Sequence, residues 1–441
     1  MLQVGGYPNS SNITNVKTAY TFVNGEKKYF WKDKTIYDNY WNDNYYSRII
    51  YAFLLNNSTN NTLRVVYLDD SNAIKTKDFT LPNVTGYTNR GIGSEYNFQV
   101  NGNSLLIYLK YTDPTRNADI DKLFYISDIL ISSSVIDINF DDGVLDVQGN
   151  SYLLQYYRLA QYGIWLTLQK TTKVATGTGD SNTYETNIYF VPLPNQNVTI
   201  SDAYKKNLWS PVGKTITRSQ QSNIISGRLL YCVFSNNDIS TYILKDTPTG
   251  ESLVKTIKNF PIVSKPTIIS GIYAYVLVDY STIKILNLLT NESHNATGTI
   301  MHTGGLYKFP FEIIPNNSLW TVDTSLPSLV SLIQVSGEDN TFESVSLDIY
   351  SDVICRIYDK QTQLLFNVVN MSDGYYIYKS LTDRIKITLP TNFSWIIGKT
   401  FNNHCLVVCD NNSSRTSFPF QISKDYGTTW TAVGNALGYD S

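Results

Sequence analysis

The feature that most constrains this chain is a repeat in its second half. Apolar segments that resemble β-strands recur at steps of 43, 44, 44 and 43 residues, centred near Val233, Val276, Trp320, Leu364 and Val407. Partner strands follow at steps of 42, 47, 45 and 44, centred near Ile243, Ile285, Leu332, Ile377 and Gln421. A period of about 40–50 residues with several strands per unit is typical of a β-propeller blade. The repeat predicts an all-β chain that forms a single propeller of about six to eight antiparallel blades.

The first half of the chain follows the same plan less regularly. Strand-like runs separated by polar turns are predicted at Arg48–Leu55, Leu63–Leu68, Ile74–Leu81, Tyr96–Val100, Leu105–Tyr111, Leu123–Ile131 and Val135–Phe140. The stretch Leu153–Leu168 is long enough for a helix, but its apolar positions fit neither the 3.6-residue period of a helix nor the 2-residue period of a strand clearly. Helix and strand both stay open.

The pattern divides the chain into an N-terminal segment, residues 1–45, and a propeller, residues 46–441. In the first segment a strand is predicted near Thr18–Val23, followed by an Asn-Gly turn at 24–25. An open ring of blades would expose an edge strand that invites aggregation. We therefore expect the strand at 18–23 to complete the last blade.

The clearest short motif lies near the C-terminus, where residues 423–430 have the form S-x-D-x-G-x-T-W. Its specified residues are Ser423, Asp425, Gly427, Thr429 and Trp430. An Asp carboxylate can accept backbone N–H bonds within its own turn. Glycine can adopt the positive φ of a tight turn, and a following Trp brings a large apolar surface to the next strand. This is the chemistry of a folded turn and not of an active site.

The motif resembles the Asp-box of sialidase-like (BNR-repeat) β-propellers, in which the box forms the turn between two strands of a blade. The resemblance implies a structural role for these residues. It does not extend to catalysis, because the F/Y-R-I-P motif of sialidases is absent. Its nearest match is residues 47–50, S-R-I-I, which lacks the proline. Sialidase activity is therefore not expected.

Composition narrows the classes of partner. The formal net charge is −2 and charged residues make up 16% of the chain, without a basic block. This argues against a nucleic-acid partner held by phosphate contacts. No run approaches the roughly 18 apolar residues of a membrane span, so membrane insertion is not expected. The N-terminus also lacks the pattern of a signal peptide.

A cluster of aromatic residues in the N-terminal segment is the candidate contact surface. It comprises Tyr40, Trp41, Tyr45 and Tyr46, interleaved with Asp and Asn. Such rings could stack on a host glycan or bind a partner protein. The alternative is that they pack between strands or against a neighbouring subunit, since Tyr and Trp are also enriched at interfaces.

The weak metal candidate is the stretch 137–143, D-I-N-F-D-D-G, with oxygen ligands at Asp137, Asn139 and Asp141. It is similar to the start of a calcium loop. Asp142 stands where that loop needs glycine, and the closing Glu is missing. The strict alternation with apolar residues predicts instead a half-buried strand that runs into an Asp-Gly turn. No metal and no cofactor are expected.

Nucleophilic catalysis has few candidate residues, because the chain has 3 histidines and 4 cysteines and lacks a G-x-S-x-G motif. We expect the cysteines to be small core residues. The low charge and the abundance of Asn, Ser, Thr and Tyr resemble the composition of bacteriophage virion components such as tail, nozzle or receptor-contact proteins.

The sequence thus favours a non-catalytic structural or binding propeller located in a virion, with the cytoplasm as the alternative location. Its expected partners are other virion proteins, copies of itself or a host surface glycan. The alternative function is a carbohydrate-active enzyme with a pair of carboxylates at the propeller axis. The carboxylates available near turns for that site are Asp69, Asp70, Asp141 and Asp142.

Overall fold

The structure is a computed structural model that describes residues 18–23, 26–32, 47–55, 62–82, 88–89, 97–113, 118–140, 150–160, 162–176, 179–205, 223–225, 229–234, 240–245, 252–258, 267–270, 273–279, 281–287, 292–299, 318–325, 329–346, 352–359, 364–393, 395–397, 405–409 and 417–437. Within these stretches the chain forms 33 strands and one turn of 3-10 helix, Asp202–Tyr204. The prediction of an all-β fold is confirmed.

The first two strands form a hairpin of their own. Strand β1 (Thr18–Val23) pairs antiparallel with β2 (Glu26–Lys32), so the predicted strand and turn are both present. In the described residues β1 belongs to this two-stranded sheet and to no other. The last sheet takes its four strands from residues 395–437. The division of the chain at residue 45 stays a prediction.

Three sheets follow in the first half of the chain. Sheet 1 contains β3 (Ile49–Leu54), β4 (Thr62–Leu68) and β5 (Ile74–Thr80). Sheet 2 contains β6 (Thr88–Asn89), β7 (Asn97–Asn101), β8 (Ser104–Asp113), β9 (Ala118–Ile126), β10 (Ile136–Asn139) and β14 (Val198–Thr199). Sheet 3 contains β11 (Asn150–Leu159), β12 (Gly163–Thr176) and β13 (Gly179–Pro192). The stretch 153–168 is therefore two strands and not a helix.

Five sheets of consecutive antiparallel strands make up the second half. Sheet 4 contains β15 (Asn223–Ile225), β16 (Leu229–Phe234), β17 (Ser240–Lys245) and β18 (Ser252–Lys258), and sheet 5 contains β19 (Thr267–Ser270), β20 (Tyr273–Asp279), β21 (Thr282–Asn287) and β22 (Ser293–Thr297). Sheet 6 contains β23 (Ser318–Ser325), β24 (Leu329–Ser336) and β25 (Glu343–Ser346). Sheet 7 contains β26 (Asp352–Asp359), β27 (Leu364–Met371), β28 (Gly374–Tyr378) and β29 (Arg384–Lys386), and sheet 8 contains β30 (Trp395–Ile396), β31 (Leu406–Cys409), β32 (Ser417–Ser423) and β33 (Thr431–Leu437).

The repeat seen in the sequence corresponds to these five sheets. Each predicted first strand lies in one strand of a sheet, and each predicted partner lies in the next strand, paired with it antiparallel. Each such sheet connects neighbouring strands in chain order, which is how a propeller blade is built. The chain is a β-propeller, and its number of blades stays a prediction.

The last sheet of the propeller, sheet 8, packs directly against the first, sheet 1. Phe420 of β32 makes edge-on ring contacts with Tyr51 and Phe53 of β3, at centroid distances of 5.4 and 5.0 Å. Leu55 forms an isolated antiparallel bridge with Ala436. One continuous apolar cluster extends from sheet 7 through sheets 8 and 1 into sheet 2. This packing brings the C-terminal sheet against the first sheet of the propeller, as ring closure requires.

Candidate functional site

The S-x-D-x-G-x-T-W motif lies in the turn between β32 and β33. Ser423 is fully buried, and its Oγ donates a hydrogen bond of 2.7 Å to Asp425 Oδ1. Ser423 Oγ also accepts a hydrogen bond of 2.8 Å from the backbone N–H of Gly427. The Ser423 hydroxyl thus both donates and accepts a hydrogen bond. Because buried polar groups need partners, these two bonds fix the start of the turn.

The carboxylate of Asp425 holds the far side of this turn. Its Oδ1 accepts the backbone N–H of Thr429 at 2.8 Å, and its Oδ2 accepts the Thr429 hydroxyl. The carbonyl oxygen of Asp425 accepts the Thr428 hydroxyl at 2.8 Å. Burial raises the pKa of Asp425, but the hydrogen bonds from Thr429 and Ser423 outweigh it, so the net pKa lies below the ordinary value.

The backbone of the turn passes through the left-handed region at two successive residues. Tyr426 has a φ of 57° and Gly427 a φ of 87°. A Cβ added to Gly427 would lie 2.6 Å from Cγ2 of Ile387, the residue that follows β29 of sheet 7. Glycine is therefore required here both by the backbone and by the close approach of the neighbouring sheet.

Trp430 links this turn to sheet 7. Its indole Nε1 donates a hydrogen bond of 2.9 Å to the carbonyl oxygen of Thr388, just after β29. The ring is only partly buried and packs against the main apolar cluster. The expected apolar contact of this residue is thus accompanied by a polar contact between sheets that the motif alone does not show.

Similar turns stand at the corresponding place in other sheets. In sheet 1 the Oδ1 of Asp69 accepts the backbone N–H groups of Ser71 and Ala73, at 2.9 and 2.8 Å. Hydrogen bonds from Ser71 and Ala73 lower the pKa of Asp69. In sheet 2 the Oδ1 of Asp128 accepts the N–H of Leu130 at 2.7 Å. Each polar residue closes the turn that begins where an apolar strand ends.

These turns also contact the next sheet, through donors that bind backbone carbonyls. Lys424 Nζ donates to the carbonyl oxygen of Asn72 at 2.6 Å, which joins the turns of sheets 8 and 1. Lys77 Nζ of β5 donates to the carbonyl oxygens of Leu130 and Ser132 in the turn of sheet 2, at 3.2 and 2.9 Å.

An equivalent contact joins sheets 5 and 6. His294 Nε2 of β22 lies 3.0 Å from the carbonyl oxygen of Asp339, in the turn between β24 and β25. Since a carbonyl can only accept, the imidazole N–H is the donor. Together with Trp430, these side chains connect the last turn or strand of one sheet to the last turn or strand of its neighbour. We call them the turn contacts.

The carboxylates considered for an axial catalytic site have other roles where they are described. The Asp69 carboxylate closes its own turn, and Asp70 forms an ion pair with Arg48 at 2.5 Å. Arg48 is the arginine of the S-R-I-I stretch, and Ile49 and Ile50, which follow it, are buried. Asp141 and Asp142 lie outside the described residues.

The weak calcium candidate already has a cation beside it. Lys122 Nζ donates to Asn139 Oδ1 at 2.5 Å. Burial raises the pKa of Asp137, against the opposing effects of Lys122 and Asn139. Asp141 is not described. In the part of the chain covered by the structure, no cluster of three or more His, Cys, Asp or Glu residues could hold a metal ion.

The remaining predicted site residues are placed as follows. The aromatic candidates Tyr40, Trp41, Tyr45 and Tyr46 lie outside the described residues, so their contact role stays a prediction. Cys355 and Cys405 are buried free thiols, as expected of core residues, and burial raises the pKa of Cys405 to about 12. No described helix has the length and apolar character needed to cross a membrane.

Several solved structures are distantly similar to this chain. The β-propeller domain of the Trilobed protease from Pyrococcus furiosus is 9% identical with a TM-score of 0.41, covering 76% of this chain and 97% of that one. Acylaminoacyl peptidase from Pyrococcus horikoshii is 9% identical with a TM-score of 0.45, covering 79% of this chain and 53% of that one. BamB from Moraxella catarrhalis is 12% identical with a TM-score of 0.33, covering 78% of this chain and 90% of that one.

No protein-family model matches the chain, and no curated protein sequence does. At such low identities and TM-scores, the similar structures give no information about what this chain binds or does. The propeller fold rests on the repeated sheets themselves.

Proposed function

We propose that this chain is a non-catalytic structural and binding β-propeller of a bacteriophage virion, in which it contacts other virion proteins, copies of itself or a host surface glycan. The observation that carries this proposal is the use of polar groups at the last turns of the sheets. Asp69, Asp425 and Ser423 hold the turns themselves. Lys77 and Lys424 connect one turn to the next.

These hydrogen bonds hold the last turns of the sheets in place. The charged groups of Asp69, Asp425, Lys77 and Lys424 all take part in them. Removing the acceptor from the buried N–H of Gly427 costs about 1–3 kcal/mol, so the buried Ser423 hydroxyl is poorly suited to change state in a catalytic cycle. The low charge and the Asn, Ser, Thr and Tyr content of the chain support a virion role by analogy with such proteins.

The 423–430 turn adds a second line of support. Its hydrogen bonds match the role of an Asp-box, in which the carboxylate closes a turn between two strands of a blade. We therefore propose that this turn is an Asp-box and that the chain belongs with Asp-box propellers in architecture. This assignment predicts stability for the turn and says nothing in favour of sialidase chemistry.

The test combines the assembly state with activity. Light scattering and negative-stain imaging of the purified chain should show an oligomer, or assembly with a second virion protein. A panel of glycans and glycosidase substrates should show binding without turnover, and Trp41→Ala should weaken any glycan binding. Asp425→Asn serves as the control, since it lies in the turn and not in the aromatic segment. Turnover of a glycoside would overturn the proposal in favour of the enzyme alternative.

A further inference from the structure

The hairpin of β12 and β13 is longer than the rest of its sheet requires. The two strands pair without interruption from Gly163↔Pro192 to Thr176↔Gly179. Fourteen residues at about 3.3 Å each give a length of roughly 46 Å, whereas strands in globular proteins usually have 3–10 residues. The last described buried residue on β12 is Gln169, 4% exposed. The hairpin arm, residues 170–176 and 179–185, continues beyond it.

The third strand of the sheet ends before the arm does. Strand β11 pairs with β12 only as far as Asn150↔Thr172. In the described residues, the final four residue pairs of the hairpin, from Lys173↔Asn182 to Thr176↔Gly179, have no third strand beside them. An isolated two-stranded hairpin is at best marginally stable in water, so an arm of this kind gains most from another strand.

Among the described strands, β13 is the outer strand of its sheet on the side away from β12. In the part of the chain that the structure describes, the single pairing on that edge is the isolated bridge between Tyr189 and Lys205, at the base of the hairpin. Natural edge strands are usually protected by Lys, Pro, a bulge or shortness. Residues 179–191 contain neither Lys nor Pro, and the β12–β13 register has no shift.

We propose that β13 pairs antiparallel with β13 of a second copy of this chain, through residues 179–187, to form one sheet across two propellers. This rests on the proposed role as an assembling propeller and names the surface that assembles. The same strand in both copies gives a two-fold, self-complementary contact, the commonest symmetry of soluble oligomers.

The register of the pair follows from backbone geometry. Two residues separate the paired Thr176 and Gly179, as in a two-residue hairpin, and hydrogen-bonded pairs then alternate along the ladder. Backbone N–H groups that do not face β12 fall at alternate positions, including Asn182 and Tyr184. If the two-fold axis passes between the two copies of Thr183, Asn182 of one copy lies opposite Tyr184 of the other, and their outward N–H groups can form hydrogen bonds between the two strands. This register also places Asp180 opposite Thr186, so that no two acidic residues oppose each other.

The first experiment measures the mass of the full chain by light scattering, with two variants at the edge. Asn182→Pro removes an outward N–H, and Tyr184→Lys adds the charge that protects natural edges. The control is Thr171→Lys, since Thr171 pairs with Ser151 on one side and Tyr184 on the other, away from the edge. We expect the wild type and the control to be dimers, and both edge variants to be monomers with unchanged circular dichroism.

The outcomes separate this inference from the proposed function. A monomeric wild type, or edge variants that remain dimeric, would overturn the pairing of β13. An assembly that survives both edge variants would overturn the edge contact while supporting the proposed assembling role. Glycoside turnover would overturn the proposed function, and leave the mass measurement to decide the pairing.

A cysteine pair tests the register. At a non-hydrogen-bonded pair on the two-fold axis the Cα atoms lie about 4.5 Å apart, within disulfide reach. Thr183→Cys should therefore give a covalent dimer on oxidation. Ser181→Cys should not, because two copies of residue 181 would be about 13 Å apart along the strands. A covalent dimer from Ser181→Cys and none from Thr183→Cys would overturn the register.

Discussion

The last turns of sheets 7 and 8 occupy the same place, between the third and fourth strands, but are held in different ways. In sheet 7, residues 379–383, the Oγ of Ser380 accepts the N–H groups of Thr382 and Asp383 at 3.2 and 2.9 Å, near the surface. In sheet 8, the fully buried Ser423 and the carboxylate of Asp425 hold the turn together.

The difference follows from what each turn contacts. The turn of sheet 8 packs on sheet 7 through Gly427 against Ile387, and donates from Trp430 to the carbonyl oxygen of Thr388. It also extends Lys424 to sheet 1. A turn that must meet two neighbouring sheets needs a fixed backbone. The turn of sheet 7 meets sheet 8 through the long Lys379 side chain, whose Nζ lies 5.6 Å from the centroid of the Tyr426 ring, and that contact asks less of the backbone. The motif is therefore expected where sheets join.

The largest effect should come from Gly427→Ala. It places a Cβ 2.6 Å from Ile387 and forces alanine to a φ of 87°, which together should cost about 3 kcal/mol. The control is Gly102→Ala, whose φ of 57° carries the backbone strain but whose Cβ has open space, so about 1 kcal/mol is expected. Urea unfolding of both variants measures the difference. Equal losses would show that the contact with sheet 7 is unimportant.

The second comparison is Ser423→Ala with Ser380→Ala. Loss of Ser423 leaves the N–H of Gly427 buried without its acceptor, at about 2 kcal/mol. Loss of Ser380 exposes two N–H groups to water, at about 0.5–1 kcal/mol. Thermal and urea unfolding should therefore rank the first variant as less stable. The reverse order would contradict the assignment of Ser423 as the buried anchor of the turn.

Local signals in the sequence explain why the 423–430 turn could be predicted. Its hydrogen bonds join residues within four positions of each other, so the spacing of Ser, Asp, Gly and Thr encodes them directly. The same holds for the strands, which the sequence marks as apolar runs separated by polar turns. The stretch 153–168 was ambiguous because its two strands are rich in apolar residues without a clear period, and only their pairing identifies them as strands.

The turn contacts could not be predicted in this way. Lys424 and Asn72 are 352 positions apart, and Lys77 and Leu130 are 53 apart. In each case the acceptor is a backbone carbonyl, which every residue carries, so the sequence contains no matching partner to search for. An Asp where a strand ends, as at Asp128, was the nearest available signal. It marks the turn but not which neighbour the turn meets.

A third prediction concerns the charge of Asp425. Its pKa is lowered in the folded chain, so its contribution is present above the ordinary carboxyl pKa of about 3.9 and is lost as pH falls through the folded value. Asp425→Asn keeps the shape and an acceptor oxygen but removes the charge. We expect it to be less stable than wild type by about 0.5–1 kcal/mol at pH 7, because hydrogen bonds to a charged acceptor are stronger.

That stability difference should shrink towards zero as pH falls from about 4 through the lowered pKa of Asp425 in the folded chain, because the wild-type carboxyl then becomes neutral as well. Urea unfolding of both chains at several pH values measures it. Ser380→Ala is the control, because the Ser380 hydroxyl does not titrate and its stability difference from wild type should stay constant with pH. A gap between wild type and Asp425→Asn that stays constant with pH would show that the hydrogen bonds at Asp425 do not depend on its charge.

The smallest effect is expected at the contact between sheets 8 and 1. Lys424→Met removes the hydrogen bond to the carbonyl oxygen of Asn72, an exposed contact worth about 0.5 kcal/mol. The matched control is Lys386→Met, since Lys386 forms an exposed ion pair with Asp373 at 3.1 Å within sheet 7. Both variants should unfold almost as the wild type does.

Hydrogen exchange separates the two lysines where stability does not. Loss of the Lys424 contact should speed amide exchange at Asn72, whose N–H donates to the carbonyl oxygen of Asp69 in the turn that Lys424 contacts, because a local opening of that turn exposes that amide. Lys386→Met should leave that amide unchanged, since its ion pair lies within one sheet. Equal exchange in both variants would show that the apolar packing of Phe420 on Tyr51 and Phe53 holds sheets 8 and 1 together without help from the turn contact of Lys424.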